Sequence, residues 1–313
     1  MVAGAPLVSV VIPVHDESAG LDRLFGRLLP EMQSLALPFE LIFVNDGSRD
    51  DTLRALLDKQ RGMPQLRVID LTRNFGKEAA LTAGLEYCRG ACAILLDADL
   101  QDPPELIPQM VARWREGYEV VTAVHALRRS DPLLKRATAA CFYWLINRIS
   151  EVRFVPNAGD FRLLDRAAID AILRLRERTR FNKGLFAWIG FRTAYIEHDR
   201  PARAAGESRF NYRRLLRLAV DGITSFSVLP LRLWVYLGVV IAGLAFLYGS
   251  AILVRTLVRG VDVPGYASLI VAIMFLGGIN LLGIGVLGEY VSRIFVEVKQ
   301  RPLYLIRQIH EAG

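Results

Sequence analysis

Short apolar runs alternate with helical patterns along the first part of the chain. Leu7–Pro13, Phe39–Asn45, Leu66–Leu71, Ala91–Asp97 and Tyr118–Val124 are rich in Val, Ile and Leu and are bounded by turn residues. That pattern predicts short buried strands. Between them, Ser18–Leu35, Asp51–Arg61, Gly76–Arg89 and Pro103–Glu116 read as helices. Ser18 is a candidate N-cap, and Pro103 and Pro104 suit a helix start, where a missing N–H costs nothing. The alternation predicts an α/β fold with a mostly parallel sheet flanked by helices. Ligands in such sheets sit at the carboxyl ends of the strands. The acidic residues collect there: Asp16 and Glu17 after the first strand, Asp46 after the second, Asp97 and Asp99 after the fourth.

The pattern then changes. Leu233–Val254 is 22 residues without a charge, and Val263–Gly288 is another 26. At about 1.5 Å per residue each is long enough to cross a hydrocarbon core of roughly 30 Å. Two transmembrane helices are therefore expected, at about 232–256 and 264–288. Arg200, Arg203, Arg209, Arg213, Arg214, Arg217 and Arg232 precede the first span, and Arg293, Lys299, Arg301 and Arg307 follow the second. The short connection holds only Arg255, Arg259 and Asp262. This asymmetry predicts both termini on the cytoplasmic side of the inner membrane. Within Ser208–Leu229, Arg213, Arg214 and Arg217 interleave with Leu215, Leu216, Leu218, Val220 and Ile223. The segment reads as a basic amphipathic helix on an anionic bilayer surface, or as an ordinary helix packed on the globular domain. The expected domains are a cytoplasmic catalytic unit at 1–205, a juxtamembrane amphipathic region at 206–230, two spans within 231–290 and a cytoplasmic tail at 291–313.

Composition narrows the class. Of 313 residues, 52% are hydrophobic and 23% charged, with a net charge of +7, which excludes a disordered chain. Cys88, Cys92 and Cys141 form no Cys-x-x-Cys and cannot make a disulfide scaffold. Met1–Ser9 lacks the charged start and long apolar stretch of a signal peptide, so the N-terminal part is expected to remain cytoplasmic. No Gly-x-Gly-x-x-Gly follows the first strand, and no P-loop is present, so a dinucleotide site and a P-loop NTPase are unsupported. Nothing points to a nucleic-acid partner.

The strongest chemical signal is Asp97-Ala98-Asp99-Leu100-Gln101 at the end of a buried strand. Carboxylates at i and i+2, placed where the chain leaves the sheet, can both turn toward one cation. Mg2+ and Mn2+ take oxygen ligands and commonly bridge carboxylates to substrate phosphates, and the Gln101 amide oxygen offers a third ligand. The bland alternative is a helix-capping loop with solvated acids. Asp46, followed by Gly47, suits a nucleobase imide N–H or a simple turn. His15 reads better as the lining of a ligand pocket than as a catalytic base. Asp160 on its own reads as the ion-pair partner of Arg162 or Arg166. Arg203, Ser208 and Arg209 suit a phosphate held at the membrane, or anionic headgroups.

The segments SVVIPVHDE, VNDGSRDDT, NFGKEAAL and DADLQDPPE, in that order and spacing, resemble inverting glycosyltransferase family 2, with a GT-A fold. Further on, NAGDFRLLDR, RFNKGLFAWIGFR, the Arg200–Leu233 segment and GEYVSRIFVEVKQRPLY resemble one membrane-anchored branch. This is the branch of the polyprenyl-phosphate glycosyltransferases, with bactoprenol glucosyltransferase and, more distantly, dolichol-phosphate mannose synthase. The family's usual Pro-x-Tyr-Asn-Glu reads Pro13-Val14-His15-Asp16-Glu17 here, so the aromatic and the Asn are replaced. The resemblance implies a metal site at Asp97, Asp99 and Gln101 for Mg2+ or Mn2+. It implies nucleotide binding by Pro13, His15, Glu17, Asp46, Lys77 and Asp97, with Asp160 and Asp99 catalytic. Arg128, Arg203, Ser208 and Arg209 complete the set on the acceptor-phosphate side. The implied reaction moves a sugar, glucose from UDP-glucose in the first instance, to polyprenyl phosphate. Another sugar such as mannose or an amino sugar, another lipid acceptor, and a nucleotide-binding membrane scaffold without catalysis are the alternatives. The implied assembly is a homo-oligomer, a tetramer, in the bilayer.

Overall fold

Strand β1 (Val8–Val14) is the axis of an eight-stranded sheet. It pairs in parallel with β2 (Phe39–Asn45) on one side and with β4 (Cys92–Leu95) on the other. Parallel β3 (Leu66–Leu71) follows β2. The chain thus runs outward through β1, β2 and β3, then crosses back to lay β4 against the other side of β1. That reversal opens a crevice at the carboxyl ends of β1 and β4. These strands are apolar almost throughout because both faces are covered. Val10 and Ile12 pack with α1 (Leu21–Ser34), α2 (Thr52–Gln60) and α4 (Ile107–Arg115) on one face. Val11, Ile42 and Val44 pack with α3 (Lys77–Tyr87), α5 (Arg166–Arg174) and α6 (Asn182–Trp188) on the other. The computed structural model describes residues 7–125, 147–148, 155, 158–175, 177–178, 180, 182–198, 229–259 and 265–311.

Two features depart from simple strand–helix alternation. β6 (Ala158–Asp165) enters antiparallel between β4 and β5 (Val120–His125), and β7 (Thr193–His198) pairs in parallel with β5. At the opposite edge, β8 (Ile306–His310) pairs antiparallel with β3. The sheet order is therefore β7-β5-β6-β4-β1-β2-β3-β8. Ser18 does not cap α1. It opens a 3-10 turn, Ser18–Gly20, and α1 begins at Leu21. The Ser18 N–H donates to Asp50 Oδ2 at 3.1 Å and the Glu17 N–H to Thr52 Oγ1 at 2.9 Å, tying the β1 exit to the start of α2.

Beyond the sheet, α7 (Leu229–Arg259) and α8 (Tyr266–Val298) contain Leu233–Ile252 and Ala272–Val298, each long and apolar enough to cross a membrane. Their apolar side chains are uncovered, Phe246 and Met274 among them. Helices apolar on all sides need a nonaqueous environment. Cys88 and Cys92 are free and buried, in line with the composition. Most of the 206–230 segment, together with Arg128, Cys141, Arg203, Ser208 and Arg209, lies outside the described residues.

Candidate active site

The loops after β1, β2 and β4 meet at the crevice. Asp16 and Leu100 both adopt left-handed backbone, with φ of 55° and 57°. Asp tolerates that region, whereas for Leu it is strained, and such strain concentrates at functional sites. The Asp16 carboxylate accepts from the Arg49 N–H at 2.7 Å, so the β1 and β2 loops hold each other. His15 Nδ1 lies 2.9 Å from the Asp46 carbonyl oxygen, and Nε2 lies 3.5 Å from Asp16 Oδ2.

Lys77, at the start of α3, brings the distant acids together. Its ammonium donates to Asp97 Oδ2 and to Asp160 Oδ2, each at 2.6 Å. Asp97 leaves β4 and Asp160 sits on β6, so the antiparallel strand carries the second carboxylate into the crevice. Burial pushes the Asp97 carboxyl upward against the pull of Lys77. Burial acts the same way on Asp160, but Lys77 and Lys183 outweigh it and hold that carboxyl below its ordinary range. Glu17 is pushed upward by burial and by the charges of Asp99, Asp50 and Asp97. Asp99 is exposed, and its carboxylate accepts from the Gln101 backbone N–H at 3.1 Å and from Gln101 Nε2 at 2.7 Å. Behind Asp160, Arg162 is 4% exposed and stacks over Phe186 at 4.0 Å. Burial pulls its guanidinium down to about 10, and it donates to the Gly159 carbonyl at 2.6 Å.

On the other side of β1, a cavity of about 500 Å³ opens over the ends of β1, β2 and β3. Asn45, Ser48, Asp70, Arg73 and His15 line it. Gly47, at φ 63°, closes the β2 turn, where a Cβ would come within 2.4 Å of the Arg73 backbone. Asp46 has a task that its motif does not reveal. It is 3% exposed, and its carboxylate accepts from the Phe75 and Gly76 N–H groups at 2.7 and 2.9 Å. It anchors the loop that delivers Lys77.

Of the expected residues, Glu17, Lys77, Asp97, Asp99, Gln101 and Asp160 converge on the crevice. Pro13 and His15 stand between crevice and cavity, and Asp46 supports both. Sequence reasoning missed Glu78. Burial and the Asp160 charge raise its carboxyl to about 7, against the pull of Lys77. Its Oε2 is buried without a hydrogen-bond partner among the described residues. Its position beside Lys77 in NFGKEAAL was the available signal. A carboxyl raised from 4.5 to about 7 on folding stabilises the fold fully below about pH 4.5 and loses that contribution as pH rises through about 7. Glu78→Gln should therefore flatten the fall of Tm between about pH 4.5 and 7. An unchanged slope in thermal melts across that range would place the titrating group elsewhere.

Comparison with known proteins fits this geometry. The family model for glycosyl transferase family 2 matches residues 9–173, which span the sheet from β1 through α5. The chain belongs to glycosyl transferase family 2. A second model, the GtrB C-terminal hairpin, matches residues 229–294, the two apolar helices. This family 2 chain is 50% identical over 302 residues to an uncharacterized glycosyltransferase of Synechocystis sp., covering 96% of this chain and 95% of that one. It is 45% identical over 308 residues to the SfII prophage-derived bactoprenol glucosyl transferase of Shigella flexneri, covering 98% and 99%. Among solved structures, glucosyl-3-phosphoglycerate synthase from Mycobacterium tuberculosis in complex with Mn2+ and UDP-glucose matches 70% of this chain and 76% of that one. Its identity is 19% and its TM-score 0.43.

Proposed function

We propose that the protein transfers glucose from a nucleotide sugar, UDP-glucose, to polyprenyl phosphate at the cytoplasmic face of the membrane. The observation that carries this reading is the Lys77 bridge between Asp97 and Asp160 at the mouth of a sheet that continues into two apolar helices. The near-full-length likeness to a bactoprenol glucosyl transferase supports the choice of sugar and acceptor.

The donor set suits a hard divalent cation. Asp97 and Asp99 offer carboxylates and Gln101 an amide oxygen. The upward push that Asp99 and Asp97 exert on Glu17 marks an excess of negative charge beside them. Among the described residues no three His, Cys, Asp or Glu side chains are grouped to hold a metal by themselves. Mg2+ is usually bound by one or two carboxylates, with substrate phosphates and water completing its shell. Asp97, Asp99 and Gln101 would hold Mg2+ or Mn2+, which when bound offsets charge developing on the leaving diphosphate. Lys77 supplies a fixed positive charge against Asp97 and Asp160. Asp160, kept ionised by Lys77 and Lys183, orients the acceptor side of the crevice. A phosphate monoester is already an anion near neutral pH, so it needs positioning and charge screening more than deprotonation. The cavity over β1, β2 and β3 takes the nucleoside, with His15 and Pro13 at its border.

Several features support the membrane arrangement. β7 precedes α7 and β8 follows α8 in the chain, and both strands belong to one sheet. A hairpin of two spans with both termini cytoplasmic accommodates that order. On this reading Arg128, Arg203, Ser208 and Arg209 dock the lipid phosphate near the bilayer. The reading extends to a homo-oligomer, a tetramer. Positions such as Gly238, Gly243, Gly277 and Gly285 have nothing within 4 Å of a notional Cβ among the described residues, whereas Gly283 packs on Trp234. Small residues facing outward let helices of neighbouring copies approach closely.

The test is transfer by the purified protein from a panel of labelled nucleotide sugars to polyprenyl phosphate in membranes. Glucose from UDP-glucose should enter the lipid fraction. Label from a different sugar would change the donor assignment. Nucleotide binding without transfer from any donor would favour the scaffold reading.

A further inference from the structure

The donor cavity has a wall that does not belong to the family-matched segment. Arg307, on β8, lines it opposite the turn after β2. Its Nη2 donates to the Thr72 carbonyl at 3.0 Å, and its Nη1 lies 3.4 Å from Asp70 Oδ2. Asp70 is buried and also accepts from Asn45 Nδ2 at 2.7 Å. The one carboxylate lining the cavity is therefore satisfied from two sides. Asp46 beneath it is occupied by two backbone N–H groups. What remains is richest in donors, the guanidiniums of Arg49, Arg73 and Arg307, joined by the Ser48 hydroxyl, the Asn74 amide and the His15 ring. Arg307 is 61% exposed, and a guanidinium has five N–H donors, so contacts to Asp70 and Thr72 leave donors to spare.

We infer that Arg307, delivered by the strand that follows the second apolar helix, is a nucleotide-binding residue that selects a nucleobase presenting carbonyl oxygens. This rests on the reading of the cavity as the nucleoside site. Uracil offers two carbonyl acceptors, O2 and O4, to such donors, and its N3–H can be met by the side-chain amide oxygen of Asn74, which also lines the cavity. The same lining disfavours cytosine and adenine, whose exocyclic amino groups would meet further donors. Selectivity of this kind arises because a buried polar edge left without its partner is costly. β8 is held in place independently of Arg307: the Gln60 amide donates to the His310 carbonyl at 2.7 Å, and Arg67 pairs with Glu311 at 2.7 Å. The strand therefore persists when Arg307 is replaced.

The test uses the full-length protein in detergent and measures equilibrium binding of UDP, CDP and ADP, with steady-state kinetics of transfer. The wild type should bind UDP more tightly than CDP or ADP. Arg307→Ala should weaken UDP about tenfold, the equivalent of about 1.4 kcal/mol. It should also narrow the UDP-to-CDP ratio and raise the donor KM, while kcat and the KM for polyprenyl phosphate stay within about twofold. Arg307→Lys should recover part of the loss. Glu311→Gln removes a tether of β8 that lies outside the cavity, keeps the Arg307 guanidinium, and should retain most UDP affinity. UDP affinity unchanged in Arg307→Ala would overturn the inference and leave the function standing. An equal loss in Glu311→Gln and Arg307→Ala would overturn it too, by reducing Arg307 to a support for β8. Failure of the wild type to bind any of the three nucleotides would instead remove the nucleotide-sugar reading itself.

Discussion

Asp99→Ala is expected to lower transfer by about a thousandfold or more, the scale seen when charge stabilisation is removed from a developing anion. Asp97→Ala should do the same. The loss belongs to chemistry and not to folding. Asp99 is exposed, and among the described residues its carboxylate hydrogen bonds run to Gln101, two residues away. Its removal also relieves Glu17, whose carboxyl it pushes upward. The Tm of Asp99→Ala should therefore equal or exceed that of the wild type. Excess EDTA should silence the wild type, and Mg2+ or Mn2+ should restore it. Full turnover in EDTA would mean that these carboxylates act without a divalent ion.

Arg67→Met carries the largest expected loss of stability. The Arg67 side chain is 7% exposed and Glu40, its partner at 3.1 Å, is 8% exposed. The same guanidinium donates to the Tyr87 carbonyl at 2.7 Å and to Glu311 at 2.7 Å. Glu40 in turn accepts from Ser9 Oγ at 2.6 Å and from the Arg89 N–H at 2.6 Å. Removing one partner of a buried pair leaves the other charge uncompensated, at a cost of about 3–5 kcal/mol. For a unit of this size the Tm should fall by roughly 6–20 °C. Arg67→Met with Glu40→Leu should recover part of the loss, because no lone charge then remains. A Tm change under about 2 °C in the single variant would show that water reaches Glu40 and screens it.

The parallel half of the fold was legible because its signals are local. Leu7–Pro13 and Phe39–Asn45 are apolar in sequence and become β1 and β2 within a residue or two, since burial on both faces demands unbroken apolar runs. The acidic strand ends were legible for the same reason. β6 was not, because Ala158–Asp165 carries Asp160, Arg162 and Asp165 and owes its strand to the antiparallel partners β4 and β5. β8 is five residues whose partner, β3, lies far back in the chain, and no local periodicity announces such a pairing. The site shows the same division. Asp97, Asp99 and Lys77 stood out by motif. That Asp46 clamps the Phe75 and Gly76 amides, that Lys77 reaches Asp160, and that Arg307 enters the cavity over β1, β2 and β3 are products of tertiary approach.

The pairing of β8 with β3 also sets a timetable for biosynthesis. β3 is complete at Leu71, but the strand that closes it begins at Ile306. At roughly 5–20 residues per second, the ribosome leaves that edge open for tens of seconds or so. An unpaired parallel-sheet edge is a template for association with other chains. During the same interval both apolar helices leave the ribosome, so the open edge coexists with two long stretches of uncovered apolar surface. The cavity over β1, β2 and β3 thus gains its Arg307 wall only after both apolar helices have been made.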